Sequence, residues 1–156
     1  KSQKVSDYYP KVKFVVAGDG DMLPRMVNKA TDLGISEKIV FTGFLQGADV
    51  NKAFQTADIY VMPSVSEPFG LVALEALKNH TPIIISKQSG VSEVLNHALT
   101  VDFWDVNEMT NKIVNVLKYD ELRDELRQNS YQEAQKFNLD EPARKCISIY
   151  NEVTAR

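Results

Sequence analysis

Residues 59–86 read IYVMPSVSEPFGLVALEALKNHTPIIIS, and the architecture can be worked out from this stretch. Its first four residues, 59–62, are apolar and predict a buried strand that Pro63 ends. Residues 69–78 predict a helix. Residues 82–86 contain three consecutive isoleucines, which is typical of a strand that is buried on both faces. A strand, a helix and a second apolar strand in this order predict two parallel strands joined by a crossover helix.

The same alternation continues on both sides of this unit. Strands are predicted upstream at 12–17 and 39–42, with helices at 22–33 and 49–57. Downstream, a brief helix at 90–96 and a strand at 99–103 precede three helices at 106–117, 121–137 and 143–153. The sequence therefore predicts one α/β domain, a Rossmann-like parallel sheet with helices on both faces and a helical tail.

Composition excludes several classes of protein. The 156 residues carry a formal net charge of −3, which argues against a nucleic-acid-binding surface. The one cysteine, Cys146, rules out an internal disulfide and favours a reducing, cytoplasmic location. We expect it to be a small buried residue of the last helix. No apolar run approaches the roughly 20 residues of a membrane helix, and the N-terminal residues lack the apolar core of a signal peptide.

Open parallel sheets bind ligands beyond the carboxyl ends of their strands, so the turns at 18–20, 42–44, 64–70 and 86–90 are the places to look for a site. The third turn is the richest. Pro68 suits the entry to a helix, and Gly70 in the first turn lets a ligand approach the backbone. Free amides and the helix dipole favour an anion there, and a diphosphate is the natural occupant.

Two carboxylates flank this turn. Glu67 precedes the helix, and Glu75 lies about 9 Å further along it at 1.5 Å per residue. A nucleotide-sugar across the helix start would place its sugar at Glu67 and its ribose hydroxyls at Glu75. The spacing alone is weak evidence, since two glutamates eight positions apart arise easily by chance. Lys87 follows the isoleucine strand on the ligand side and can reach a phosphate, although a solvated loop lysine is the commoner case.

The whole segment is more specific than its two glutamates. The string Pro63-Ser64-x-x-Glu67-Pro68-Phe69-Gly70-Leu71-x-x-Leu74-Glu75-Ala76 resembles the E-x7-E signature of family 4 (group 1) glycosyltransferases, which have the GT-B fold. Four further blocks in the same order resemble that family: Val16 to Gly20, Val40 to Leu45, Ala57 to Ser64, and Thr81 to Ser86 followed by Ser89 to Glu93.

The resemblance implies retaining transfer of a hexose from a UDP-, GDP- or ADP-sugar to a glycan, lipid or other acceptor, without a bound metal or cofactor. Glu67 is then the catalytic-site residue that contacts the donor sugar, and Glu75 binds the ribose. The other donor contacts implied are backbone amides of Phe69, Gly70 and Leu71 at the diphosphate, Lys87 at a phosphate, and the turns containing Gly18, Gly20, Gly43 and Phe44 near the base.

Two single residues depart from the family pattern. His80 stands where glycine is usual before Thr81-Pro82. Ser89 stands at the first position of a usual glycine pair, where it either alters donor contacts or donates its hydroxyl to a phosphate.

A third departure is larger. The family's nucleotide domain normally starts with another strand and a Gly-Arg…Lys-Gly segment, preceded by an N-terminal acceptor domain. Neither precedes Val12 here. Without a central strand, the strands at 12–17 and 59–62 should pair directly, expose an edge for self-association with a partner chain, or leave the domain marginally stable. We expect the isolated chain to be inactive. Any peripheral membrane contact would come through the acceptor half.

Other readings stay open. A non-catalytic GT-B-like nucleotide-binding or assembly module is the alternative, although the presence of both Glu67 and Glu75 argues against a decayed site. A dehydrogenase is disfavoured because Gly18-Asp19-Gly20 is not continued into Gly-x-Gly-x-x-Gly. A GT-B epimerase needs acid and base residues that the sequence does not identify. His80 and His97 have no metal-ligand spacing and are interpreted as structural or surface residues.

Overall fold

A computed structural model gives the fold of residues 2–137 and 140–154. The strands in this part are all parallel and fall into two sheets. The first sheet pairs β1 with β2, and the second has the order β3-β4-β5. The strands are β1 (Phe14–Ala17), β2 (Ile39–Gly43), β3 (Tyr60–Met62), β4 (Ile83–Ser86) and β5 (Leu99–Val101).

No hydrogen-bonded pairing joins β1 to β3 among the described residues. Of the three outcomes expected at the gap, direct pairing of these two strands therefore does not occur. A shared apolar cluster connects the sheets instead, since Phe14 of β1 packs against the same buried residues as Ile59 and Val61. Side-chain packing can hold two elements together without a shared ladder, because the hydrophobic effect is not directional.

The fourth and fifth helices along the chain make most of the helix contacts with the second sheet. Seven helices lie in the described part: α1 (Ser2–Tyr8), α2 (Leu23–Asp32), α3 (Ala48–Thr56), α4 (Leu71–Lys78), α5 (Val106–Lys118), α6 (Asp120–Ala134) and α7 (Asp140–Thr154). Short 3-10 turns occupy Ser36–Lys38 and Gly90–Glu93. The second of these corrects the predicted helix at 90–96, which is a single turn that ends three residues early.

Strand β4 is buried on both faces, as its isoleucines predicted. Ile83 and Ile85 belong to one apolar cluster, which includes residues of α4, whereas Ile84 belongs to a second cluster with residues of α5. Successive side chains of a strand point to opposite faces. The two clusters therefore show that helices cover both faces of this sheet, which confirms the predicted α/β architecture.

Helix α4 begins two residues later than predicted. It starts at Leu71, and Gly70 precedes it as the N-cap in a left-handed conformation with φ of 94°. Phe69 and Gly70 therefore belong to the loop and not to the first turn. The prediction failed because Pro68 was taken as the helix entry, whereas the backbone reverses only at Gly70.

Helices α2 and α4 end in the same motif. After α2, the amide of Ile35 donates to the carbonyl of Ala30 and Gly34 has a φ of 66°. After α4, the amide of Thr81 donates to the carbonyl of Ala76 and His80 has a φ of 60°. Both are Schellman motifs, which favour glycine at the left-handed position. Glycine would adopt this conformation at position 80 without strain, whereas a histidine there costs about 1–2 kcal/mol.

A buried carboxylate attaches α6 to the loop before β5. Glu133 is 3% exposed, and its Oε1 accepts from the backbone amide of Asn96 at 2.8 Å and from the Asn96 side chain at 3.0 Å. Its Oε2 accepts from the backbone amide of His97 at 3.0 Å, and the ring Nδ1 of His97 lies 3.3 Å away. His97 is therefore structural, as predicted. Burial acts to raise the pKa of Glu133, but these hydrogen bonds outweigh it and hold the pKa below its usual value.

Two apolar surfaces stay uncovered in the described part. On the first sheet, Val15 and Val40 are opposite each other and are 60% and 49% exposed. Helix α7 has no buried residue, and Cys146, which was predicted to be buried, is exposed. The prediction was wrong because amphipathic spacing indicates an apolar face but does not show that another element covers it. None of the described helices combines the length and the apolarity that crossing a membrane requires.

Candidate functional site

The N-terminus of α4 lies at the carboxyl end of β3 and forms the centre of the candidate site. No side chain caps this helix, because its N-cap is Gly70. The carbonyl of Gly70 accepts from the amide of Ala73 at 2.9 Å, so the first turn is regular. The amides of Leu71 and Val72 have no carbonyl within the helix to bond, as at any helix start. Donors that point outward at the positive end of a helix dipole form a site for an anion.

The loop before α4 is held against the loop after β4. The amide of Gly90 donates to the carbonyl of Glu67 at 2.9 Å, and the amide of Val91 donates to the carbonyl of Phe69 at 2.7 Å. A Cβ on Gly90 would lie 2.1 Å from the carbonyl oxygen of Pro68. A side chain at position 90 is therefore incompatible with this crossing. Gly90 therefore allows the close approach of two backbone segments.

Ser89 and Ser86 reinforce the same crossing. The buried hydroxyl of Ser89 donates to the carbonyl of Ser86 at 2.8 Å, and the hydroxyl of Ser86 donates to the carbonyl of Ser64 at 2.6 Å. A serine hydroxyl has a single proton to donate. Of the two roles that the sequence allowed for Ser89, this structure shows neither, because the hydroxyl is used within the protein.

Both glutamates act on one phenol. Burial raises the pKa of Tyr60, and the negative charges of Glu67 and then Glu75 raise it further. Both carboxylates thus lie within electrostatic reach of the Tyr60 hydroxyl, one from the loop before α4 and the other from its exposed face. Sequence reasoning missed Tyr60, which was assigned only to a buried strand. The sequence did contain a signal for it: a buried strand position suited to phenylalanine carries a tyrosine, whose hydroxyl indicates polar neighbours.

A charge change at Glu67 should be visible at Tyr60. Glu67→Gln removes a negative charge near the phenol, so the pKa of Tyr60 should fall while burial still keeps it above the ordinary value of 10.0. Titration of the labelled tyrosine ring carbon by NMR measures this. Glu37→Gln, in the 3-10 turn before β2, is the control and should leave the pKa unchanged. If the pKa of Tyr60 is unchanged in Glu67→Gln, the charge of Glu67 does not act on the phenol and the prediction is contradicted.

A second group of predicted residues lies at the ends of β1 and β2. Gly18 and Gly43 form an isolated bridge, in which the amide of Gly18 donates to the carbonyl of Gly43 at 2.8 Å. Gly18, Gly20 and Gly43 all have positive φ, so glycine is conformationally favoured at each of these turns. The ring of Phe44 is 71% exposed beside them. These four residues therefore cluster at one end of the first sheet.

Lys87 is engaged by a carboxylate. Its Nζ donates to Oδ2 of Asp102 at 2.9 Å, and Gln88 donates to the other oxygen of the same carboxylate at 3.0 Å. The hydrogen bond to Asp102 raises the pKa of Lys87, and the same bond, followed by that from Gln88, lowers the pKa of Asp102. The lysine lies at the carboxyl end of β4, as predicted, but a phosphate would have to compete with Asp102 for it.

The sequence profile of the family Glycosyl transferases group 1 matches residues 2–133. The chain belongs to this family. Among curated relatives of this group 1 glycosyltransferase chain is an uncharacterized glycosyltransferase, MJ1607, of Methanocaldococcus jannaschii, which is 33% identical over 143 residues, or 88% of the chain and 36% of the relative. Sulfoquinovosyl transferase SQD2 of Arabidopsis thaliana is 27% identical over 87% of the chain and 27% of its own length. The chain thus spans about a third of these relatives.

Solved structures share the fold of the group 1 glycosyltransferase chain. TarM superposes with a TM-score of 0.87 at 19% identity, over 96% of this chain and 31% of TarM. Anabaena Alr3699/HepE in complex with UDP-glucose superposes with a TM-score of 0.86 at 20% identity, over 96% of this chain and 43% of that protein. These two superpositions confirm the predicted GT-B fold class.

Proposed function

We infer that this chain is the donor-binding part of a retaining glycosyltransferase of family 4, with the segment from Glu67 to Glu75 as its E-x7-E motif. The observation that carries the proposal is the uncapped start of α4, where left-handed Gly70 leaves the first amides of the helix without a side-chain partner. The negative ligand suited to such donors is the diphosphate of a nucleotide-sugar. Anabaena HepE, a protein of the same fold, has been solved with UDP-glucose.

The proposed contacts follow the order of the motif. Loop amides from Phe69 to Leu71 bind the diphosphate, Glu67 contacts the donor sugar and Glu75 accepts from the ribose hydroxyls. The glycine turns at the ends of β1 and β2, with Phe44, lie near the base. Lys87 reaches a phosphate only after it leaves Asp102, so we assign it a weaker role than the backbone donors.

The proposed reaction is same-face substitution at the anomeric carbon. The bond from this carbon to the diphosphate oxygen breaks while a bond to the acceptor oxygen forms on the same face. The acceptor proton passes to the departing diphosphate, so charge and atoms balance. The contribution of this chain is electrostatic, because amides fixed before the reaction stabilise the charge that develops on the leaving group.

We propose that the 156-residue chain binds donor but does not transfer sugar, and that catalysis requires an acceptor domain and further cationic groups at the diphosphate. The length of the curated relatives supports this, since the chain matches 36% of MJ1607 and 27% of SQD2. Measurable sugar transfer by the purified chain would contradict this part of the proposal. The identity of the acceptor, the identity of the sugar and the proposed cytoplasmic location are properties of the complete protein, not of this chain alone.

Nucleotide binding tests the proposal directly. Titration of UDP, GDP and ADP into the labelled chain should shift the amide signals of residues 69–72 with at least one nucleotide. Glu75→Ala should weaken that binding by about 2 kcal/mol, or roughly thirtyfold in Kd, because a charge-assisted hydrogen bond to the ribose is lost. Two-dimensional NMR is the measurement because it detects the millimolar affinities expected of a partial site.

Glu37→Ala is the matched control, since it removes a glutamate that lies outside the motif. Glu67→Ala should affect nucleotide binding less than Glu75→Ala does, because its partner is the sugar and not the nucleotide. The proposal fails if no nucleotide shifts residues 69–72, or if Glu75→Ala and Glu37→Ala bind equally well. The non-catalytic alternative would show nucleotide binding in the chain and no transfer by the complete protein.

A further inference from the structure

A second polar pocket lies at the opposite end of α4. It has a volume of about 540 Å³ and is lined by Gln55, Lys78, Asn79, His80 and Arg127. The candidate donor site lies at the N-terminus of the same helix, eight residues and about 12 Å away at 1.5 Å per residue. The two sites therefore lie at opposite ends of α4, and the proposed donor contacts do not include the residues of this pocket.

His80 is the first reason to assign a ligand to it. This residue occupies the left-handed position of the Schellman motif after α4. Gly34 occupies the equivalent position after α2. Among the described non-glycine residues, His80 alone has a positive φ. Its ring stacks on Tyr131 with a centroid distance of 3.7 Å and an interplanar angle of 19°. A strained backbone position that carries a fixed polar ring into a pocket is typical of a functional site.

Arg127 is the second reason. Its Nε is buried and has no hydrogen-bond partner in the described structure. Its two ion pairs, to Asp58 at 3.9 Å and Asp124 at 3.7 Å, are longer than hydrogen bonds. Both carboxylates are more than half exposed, so water screens their attraction. The two terminal nitrogens of the guanidinium thus keep donor capacity. The buried Nε is not itself open to a ligand, but a buried donor without a partner is unusual in a native fold.

Lys78 supplies a further charge. It lies in the last turn of α4, and its ammonium has no ion-pair partner among the residues that the structure describes. The pocket therefore combines a free ammonium, a guanidinium whose terminal nitrogens make only long ion pairs, and an imidazole. A guanidinium fork matches the oxygens of a phosphoryl group, and charge-assisted hydrogen bonds to it are strong.

We propose that this pocket binds a phosphate monoester, with Arg127 and Lys78 as its charged donors and His80 as a polar wall held by Tyr131. The phosphoryl group comes either from a soluble metabolite or from a lipid headgroup, and both present the same chemistry. The site is independent of the nucleotide site at the other end of α4.

Inorganic phosphate is the first probe. We expect its titration into the labelled chain to give saturable shifts of amides 78–81 and 127–131. Arg127→Gln should weaken this binding by about tenfold, equivalent to about 1.4 kcal/mol, and Lys78→Gln by a smaller factor. Lys29→Gln, an exposed lysine in α2, is the matched control and should leave the affinity unchanged. His80→Gly restores the preferred residue of the turn, so it should fold and yet bind phosphate less well.

Two further arms identify the source of the phosphoryl group. Glycerol phosphate tests a soluble ligand, and vesicles of phosphatidic acid with phosphatidylcholine, against vesicles of phosphatidylcholine alone, test a lipid headgroup. The site is supported if one of these two ligands binds more strongly than inorganic phosphate and if Arg127→Gln weakens that binding. The ligand that does so identifies the source of the phosphoryl group. Shifts confined to residues 69–72, no saturable binding of any probe, or equal affinities for Arg127→Gln, Lys78→Gln and Lys29→Gln would overturn the proposal.

Discussion

Gly90→Ala is expected to lower the free energy of unfolding by about 3 kcal/mol and to weaken nucleotide binding, because overpacking against fixed backbone is costly. The added Cβ would lie 2.1 Å from the carbonyl oxygen of Pro68 and 3.0 Å from its carbonyl carbon. These are backbone atoms, so the loop that carries Glu67 and leads into α4 has to move. Urea denaturation measures the stability, and NMR titration with UDP measures the binding.

Gly34→Ala is the control for this variant. It also adds a methyl group at a glycine, but the space around Gly34 is open and its φ of 66° imposes only the left-handed penalty, which is about 1–2 kcal/mol. Nucleotide binding should stay normal in the control, since Gly34 lies at the end of α2. Equal stabilities for the two variants, or normal nucleotide binding by Gly90→Ala, would show that the crossing of the two loops is not needed.

Glu133→Ala should destabilise the chain by about 3 kcal/mol, because it removes a buried carboxylate that accepts from two backbone amides and leaves these amides without a partner. The backbone amides of Asn96 and His97 lose their acceptor, and α6 loses its attachment to the loop before β5. Glu125→Ala on the exposed face of the same helix is the control, with an expected change within about 0.5 kcal/mol. Thermal or urea unfolding at neutral pH measures both variants.

The pH dependence gives Glu133 a second readout. Its folded pKa is lower than the unfolded value, so its stabilising contribution is complete above the usual carboxyl pKa of 4.5 and is lost as the pH falls through the depressed value. The wild-type chain should therefore lose part of its stability below about pH 5. Glu133→Ala should lose correspondingly less over the same range. Parallel stability curves for the two proteins would contradict the assignment.

The sequence predicted the order of the elements because each strand carries its own local signal. Three isoleucines before Ser86 require burial on both faces, and the structure confirms it. The break between β1 and β3 was only partly anticipated, since a sequence pattern gives the number of strands but not the pairing at a gap. Exposure of α7 was not predicted, because its amphipathic spacing contains no information about what covers it.

The sequence indicated the turn after β3, with Glu67 and Glu75, as a candidate site, and the roles of these residues stay predictions. The roles of Gly90 and Ser89 were not predicted, because they depend on where a second loop crosses the first, and that is a tertiary contact between segments about twenty residues apart. The partner of Lys87 is likewise a residue of a different strand end, Asp102. The sequence shows which charged residues a loop contains, but it does not show which residues of other segments they contact in the folded chain.

The break between the two sheets has a consequence for how the chain opens. Strand β4 has a hydrogen-bonded neighbour on each side, whereas β1 and β2 have only each other. Proteins unfold locally in cooperative units, and a unit with fewer ladders and more exposed backbone opens at lower free energy. The glycine turns proposed for the base lie on the two-stranded unit, whereas the diphosphate loop lies on the three-stranded unit. The proposed donor therefore bridges a labile and a stable unit, so its binding would also suppress their independent opening.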